Sequence, residues 1–269
     1  MKIVLKLAPF FFAAICSGAG AQMLVATAPE ASGMSQPSIS LSPAIVMVHG
    51  KPGQSATQIL TISNQTASEI RFALTTEDVV VRDGKRFYSP AGQVANGIAA
   101  SAVAAPSAIV LKAGEEGSVQ VTFTIPSGTG QRAVVALFRG VVDTANGTVG
   151  LGSSLGTLIT FNESADYRVE AGPLQSSLQT DEANVILSEE LLNSGSEPVV
   201  PKGVIVVLNA SGKRVGKAAF SLQRLLPGER LIFAATNPEQ LAPGAYRTLS
   251  SFEFEGKVLT IAGQFTISE

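Results

Sequence analysis

From Ile39 to the end of the chain, short β-favouring runs alternate with turn residues, and no apolar stripe recurs at a helical period between caps. Ile39, Leu41, Ile45 and Met47 open this texture, followed by Ile59, Thr61 and Ser63, with Pro43, Gly50, Pro52-Gly53 and Asn64 as punctuation. The pattern predicts strands at about 39–48, 56–63, 68–78, 79–88, 107–111, 117–125, 132–143 and 153–162. After a pause at Ser164, Asp166 and Gly172-Pro173, a second series runs at about 168–179, 183–192, 199–208, 213–222, 228–235, 244–254 and 257–267. Asp83-Gly84 between Val79–Val81 and Phe87-Tyr88 is a hairpin signal, because glycine accepts the positive φ such turns need. Ser194-Gly195, Ser211-Gly212, Pro227-Gly228, Pro243-Gly244 and Glu255-Gly256 separate the later segments. Glu182 to Asn193 invites a helical reading, but Ala183, Val185 and Leu187 alternate with polar neighbours and a turn follows, which favours a strand. Ala91 to Ala105 is small and apolar and fits either a loop or a helical turn. Two sets of short strands at this spacing predict an all-β chain: two immunoglobulin-like β-sandwich domains in tandem, at 39–164 and 165–269, with no obvious residue-level repeat between them.

One stretch is unusual. Gln131 to Asn162 holds the apolar run Ala133–Phe138, an Asn146-Gly147 turn and an alternating segment to Phe161. In a regular strand Val149, Leu151, Ser153, Leu155, Thr157, Ile159 and Phe161 share one face, while Gly150, Gly152, Ser154 and Gly156 leave the early part of the other face nearly bare. Either this is a core strand of an ordinary sandwich or it is an edge exposed for pairing with a partner chain.

Composition narrows the picture. With 45% hydrophobic and 15% charged residues over 269 positions, the chain is globular and long enough for two domains. Lys2 and Lys6, the apolar run Leu7–Ile15 and the small residues Ala19-Gly20-Ala21 read as a secretory signal over 1–21, cleaved before Gln22. Residues 22–38, rich in Ala, Ser, Pro and Gln, read as a flexible leader. Loss of Lys2 and Lys6 leaves 17 basic against 21 acidic residues, a mature net charge of −4. Without a Lys/Arg cluster there is no electrostatic basis for a nucleic-acid partner. No later apolar run is long enough to span a membrane, so none is expected after signal cleavage. The only cysteine, Cys16, lies in the signal, behind an Ile15 too large for a lipoprotein anchor, so the mature chain has no disulfide.

The residues that chemistry needs are scarce. His49 is the sole histidine and stands at a strand end beside Gly50-Lys51-Pro52, where a surface turn role suits it. Metal sites of His and Cys are ruled out by these counts, and Glu115-Glu116 and Glu189-Glu190 lack calcium-loop spacing and read as solvated charges. The glycines from 147 to 156 lack the Lys-Ser/Thr ending and following helix of a phosphate loop. No catalytic residue, metal or cofactor is therefore expected, and the chain is read as a non-enzyme.

The second half resembles the C-terminal domain of periplasmic pilus-assembly chaperones. Asn193-Ser194-Gly195, Pro201-Lys202-Gly203 before Val204–Val207, Leu226-Pro227-Gly228 and Leu241–Tyr246 carry the likeness. The first half is similar to their N-terminal domain through Ser42-Pro43, Gly53, Asn64, Pro106, Leu111–Glu115 and Gln131-Arg132-Ala133 with Leu137-Phe138. The resemblance implies two features. One is a subunit carboxylate held by an Arg near the first strand and a Lys on the strand after the long hairpin. Here Ser42-Pro43-Ala44 and Leu155-Gly156-Thr157 occupy those places, and neither supplies a cation; Arg132 or Arg139 is a substitute, although each reads more simply as a solvent-facing charge. The other is an edge strand whose alternate apolar side chains fill a groove in an incomplete partner, a requirement that Val149, Leu151 and Leu155 meet.

The resulting expectation is a periplasmic or otherwise secreted chaperone-like protein that caps pilus or cell-envelope subunits by strand pairing. Val149, Leu151, Leu155, Leu137 and Arg139 are its candidate partner-binding residues. The alternative is a structural cell-surface protein that binds a scaffold protein or cell-wall polymer.

Overall fold

The computed structural model describes residues 38–125, 132–143, 149–179 and 184–268, with the backbone alone at 142–143, 149–153 and 178–179. The expected signal, the leader up to residue 37 and the Asn146-Gly147 turn lie outside these residues. Everything described belongs to one compact unit, Pro37–Glu269.

Its first part is a pair of facing sheets. One runs β1 (Ile39–Ser42), β3 (Ser55–Asn64), β8 (Glu116–Thr124), β6 (Val103–Ala105) in spatial order. The other runs β2 (Ile45–His49), β10 (Val149–Asn162), β9 (Ala133–Asp143), β4 (Ile70–Arg82), β5 (Lys85–Pro90), with β7 (Ala108–Leu111) also on β4. Alternation along each strand supplies the core between them: Leu60, Ile62, Val119, Val121 and Phe123 from one sheet meet Phe72, Val134, Ala136, Phe138, Ile159 and Phe161 from the other. Each of these side chains other than Ala136 contributes roughly 1.5–3 kcal/mol by leaving water. Phe123 and Phe161 meet edge-on across the interface, with centroids 6.1 Å apart.

The second part repeats the plan. β13 (Asn184–Asn193) pairs with β16 (Arg230–Asn237) along one side, and with β11 (Val169–Ala171) and β12 (Gln175–Gln179) along the other. The facing sheet runs β15 (Arg214–Ala219), β14 (Lys202–Leu208), β17 (Gly244–Phe254), β18 (Lys257–Ile267). Phe220 stacks on Phe252, and Phe233 meets Phe252 edge-on, around Leu187, Leu191, Ile205 and Val207. The chain is thus all-β, with two immunoglobulin-like sandwiches in tandem.

Several expected strands are cut differently. The run 39–48 is two strands, because Pro43 has no N–H for a ladder and the chain crosses there from one sheet to the other. The division at 78/79 is absent: β4 continues to Arg82 and turns at Asp83 (φ 51) and Gly84 (φ 74), the two positive-φ positions of a two-residue hairpin. The run 168–179 breaks at Gly172-Pro173 into β11 and β12. Ala91–Ala105 is both loop and turn, with a 3-10 helix at Ala99–Ser101 before β6. The buried Asp78 carboxylate accepts the amides of Ile98 (2.7 Å) and Ala99 (2.9 Å), and an added Cβ at Gly97 would overlap it.

One position does correspond between the two sandwiches. Asn64 ends β3 and Asn193 ends β13; both are fully buried. Each amide oxygen accepts the N–H two residues on, from Thr66 and Gly195. Each Nδ2 donates to the carbonyl four residues on, of Ser68 or Glu197, and to carbonyls of more distant segments: Leu111 and Lys112 in one case, Leu225 in the other.

Candidate functional site

β10 is built in two halves. Its C-terminal half, Leu158–Asn162, is paired on both sides, antiparallel with β9 and parallel with Ile45–His49 of β2. The β2 cover begins where the Leu158 amide donates to the Ala44 carbonyl (3.0 Å) and the Thr157 hydroxyl to the Pro43 carbonyl (2.7 Å). From Val149 to Thr157, β10 pairs with β9 alone among the described residues. A row of backbone donors and acceptors is therefore open for about nine residues, roughly 30 Å of extended chain.

The open half is not regular. Leu151 pairs with Val141 but Ser154 with Arg139, so three steps on β10 match two on β9. Such a bulge shifts the alternation by one. Val149 and Leu151 therefore do not continue the series of Leu155, Thr157, Ile159 and Phe161, and the expected single seven-residue face is divided in two. Leu155 is half-buried against the core, while Thr157, Ile159 and Phe161 are buried.

The sheet surface away from the core carries a groove of about 360 Å³ beside this edge, lined by Glu77, Tyr88, Val135, Leu137, Gly156 and Leu158. Register explains the grouping: Ile45, Leu158, Val135 and Glu77 form one row across β2, β10, β9 and β4. Gly156 has no side chain to fill the space. Ile45 (48% exposed) and Tyr88 (54%) rim the groove. Arg139, which is exposed, holds Glu77 at 2.8 Å. Leu137 lines the groove from β9, Leu155 lies on the opposite, core-facing side of the sheet, and the structure gives Leu151 and Val149 a place on the open edge by backbone register alone.

Below the groove the sheet meets the second sandwich. Val79, Ala133 and Val135 pack on Leu226. Arg86 forms a forked pair with Glu229, Nε to Oε1 at 2.9 Å and Nη2 to Oε2 at 2.8 Å, and Nη2 also donates to the Arg224 carbonyl. Burial works to lower the Arg86 pKa, but the Glu229 bonds and charge outweigh it and the value is raised. Arg224 donates to the Val46 carbonyl (3.2 Å) and to the Thr160 hydroxyl. Burial first, and Arg86 second, push its pKa down to about 10.

Two sequence readings are corrected. Arg132 is not solvent-facing: its side chain is 11% exposed and pairs with Glu163 at 2.8 Å and Glu197 at 3.8 Å. Glu197, fully buried, also accepts the amides of Glu163 and Ser164 and the Ser164 hydroxyl, which fixes the segment between the sandwiches. Glu189 is not a solvated charge but 1% exposed in the second core, where Ser250 donates to it at 2.6 Å. Arg86, Arg224, Glu197 and Glu229 had no signal in one sequence, because each is defined by partners more than 30 residues away. His49 ends β2 exposed, as read.

Among the described residues no group of His, Cys, Asp or Glu is placed to hold a metal ion, and no helix is long and apolar enough to cross a membrane. The stretch thus combines a strand edge without a described partner, a groove lined mainly by apolar side chains, and an Arg139–Glu77 ion pair.

No family model and no curated protein matches this sequence. Among solved structures it is similar to the class 5 fimbriae chaperone CfaA, at 13% identity, covering 84% of this chain and 99% of that one with a TM-score of 0.42. It is also similar to a chain of the CsuC-CsuE chaperone-tip adhesion subunit pre-assembly complex from Acinetobacter baumannii, at 11% identity, 84% and 97% coverage and a TM-score of 0.42. The CupB2 chaperone of Pseudomonas aeruginosa follows at 9% identity, 83% and 98% coverage and a TM-score of 0.39. No residue role follows from likeness at this level.

Proposed function

We propose that this chain is a non-enzymatic, chaperone-like binding protein of the periplasm or cell exterior that captures an envelope or pilus subunit by strand pairing. The observation that carries the reading is the half-covered β10, paired with β2 at Leu158–Asn162 and open from Val149 to Thr157. An extended segment of a partner continues the line of β2 along that edge. Backbone hydrogen bonds supply affinity, and side chains on one side reach the groove at Leu137, Gly156 and Leu158. Glu77 and Arg139 neutralise one another, so among the described residues that line the groove none offers a free cation to a partner's carboxylate, and apolar side chains suit it best.

Co-expression with a candidate subunit tests the reading. Leu151→Asp and Val149→Asp place charge on the stretch of β10 that β2 leaves uncovered, and each is expected to abolish co-purification, with circular dichroism of the purified variant showing that it is folded. Leu155→Asp abolishes capture too, but with a loss of stability from its core contact. Undiminished capture by the first two variants sinks the proposal. Saturable binding of the unaltered protein to cell-wall sacculi supports a structural surface protein in its place.

A further inference from the structure

The second sandwich has an open edge of its own, which like the open half of β10 lacks the guards that other edges carry. β15 is guarded by Arg214 and Lys217, and β5 by Lys85, Arg86 and Pro90. β1 and β6 are four and three residues long. The outer side of β16 is occupied, with the Ser221 amide donating to the Ala234 carbonyl and Gln223 Nε2 to the Ile232 carbonyl. Charges, proline, shortness and cover are the usual guards against edge-to-edge pairing. β18 has none of them: it is eleven residues long, reads KVLTIAGQFTI, has no proline, and carries its one charge at the first position. Among the described residues it pairs only with β17.

An apolar row leads to this edge. On the outer face of the sheet, register aligns Val206, Leu249 and Ala262 across β14, β17 and β18, with Val204 in the next row. Leu249 is 47% exposed, Val204 39% and Val258 64%.

We propose that β18 is a self-association edge, at which a second copy of this chain adds its own β18 antiparallel about a two-fold axis through Ala262. An antiparallel pair keeps each face only if directly opposed residues share parity, and a two-fold contact must be complementary to itself. Centred on Ala262, the contact meets both conditions. Thr260 faces Gln264 of the second copy, Val258 faces Thr266, Ile261 faces Gly263 and Leu259 faces Phe265, with no like charges opposed. Lys257 lies at the rim opposite Ile267, its Nζ already donating to the Tyr167 carbonyl. The row Val206–Leu249–Ala262 then runs unbroken into its counterpart, across a sheet of eight strands. Nothing in this depends on β10 or on capture of a subunit.

Sedimentation of the full chain over a concentration series tests it. The parent is expected at twice the monomer mass, and Ala262→Lys, which opposes two lysines at the axis, at the monomer mass with unchanged circular dichroism. Thr260→Lys combined with Gln264→Lys opposes lysines twice on an exposed face and also gives a monomer, whereas Thr260→Glu with Gln264→Lys opposes unlike charges and stays dimeric. A parent that remains monomeric at every concentration overturns the proposal. So does a dimer that survives both lysine variants, since its contact then lies elsewhere, and so does a charge-swapped pair that behaves like the double lysine.

Discussion

Glu189 shows how far a buried residue departs from its sequence reading. In the second core, burial raises its pKa, opposed by one hydrogen bond from Ser250. A carboxyl whose folded pKa lies above its unfolded value contributes stability that is fully present below the unfolded pKa, about 4.3, and lost as pH rises through the folded one. Glu189→Gln keeps the size of the side chain and cannot ionise. It is expected to be more stable than the parent at neutral pH, with the advantage vanishing at acid pH; chemical denaturation at several pH values reads this, and an advantage independent of pH counts against it. The paired asparagines teach the converse. Asn64 and Asn193 stand in ordinary turn contexts, and only the folded chain shows that each joins a strand end to distant carbonyls. Asn193→Ala is expected to cost about 2 kcal/mol, because it leaves buried carbonyls without a donor, and thermal unfolding measures it.

At the scale of elements, alternation and turn residues made most strands legible. β17 and β18 match their expected bounds because Pro243-Gly244 and Glu255-Gly256 mark both ends and nothing interrupts the two-residue period. Legibility fails where the backbone changes partner or step. Pro43 moves a strand between sheets, and the bulge between Leu151 and Ser154 alters the phase of β10; neither is a hydrophobic pattern. The connecting segment is a third case, since Ser164 looks like simple linker until Glu197 is seen to hold its amide and hydroxyl. Glu197→Ala is expected to speed hydrogen exchange at the Glu163 and Ser164 amides by about tenfold, the equivalent of one hydrogen bond. Unchanged exchange would mean that the segment is held by other contacts.

For the molecule as a whole, the two sandwiches were legible and their junction was not. The forked Arg86–Glu229 pair, Arg224 on Val46 and Thr160, and the Leu226 contact tie the second sandwich to the sheet that carries β10. Calorimetry is expected to show a single unfolding transition. Glu229→Ala leaves a mostly buried guanidinium unpaired at a cost of about 3 kcal/mol and should separate that transition into two. The bulge in β10 has a consequence for how this chain tolerates change. Because the two parts of the strand differ in phase by one residue, the count of residues between Leu151 and Ser154 carries information that their identities do not. Substitutions at Gly152 or Ser153 leave that count intact, whereas loss of one residue there leaves two steps on β10 against two on β9 and removes the bulge, together with the local bend and added twist it gives the strand. Length, rather than composition, is what this segment has to preserve.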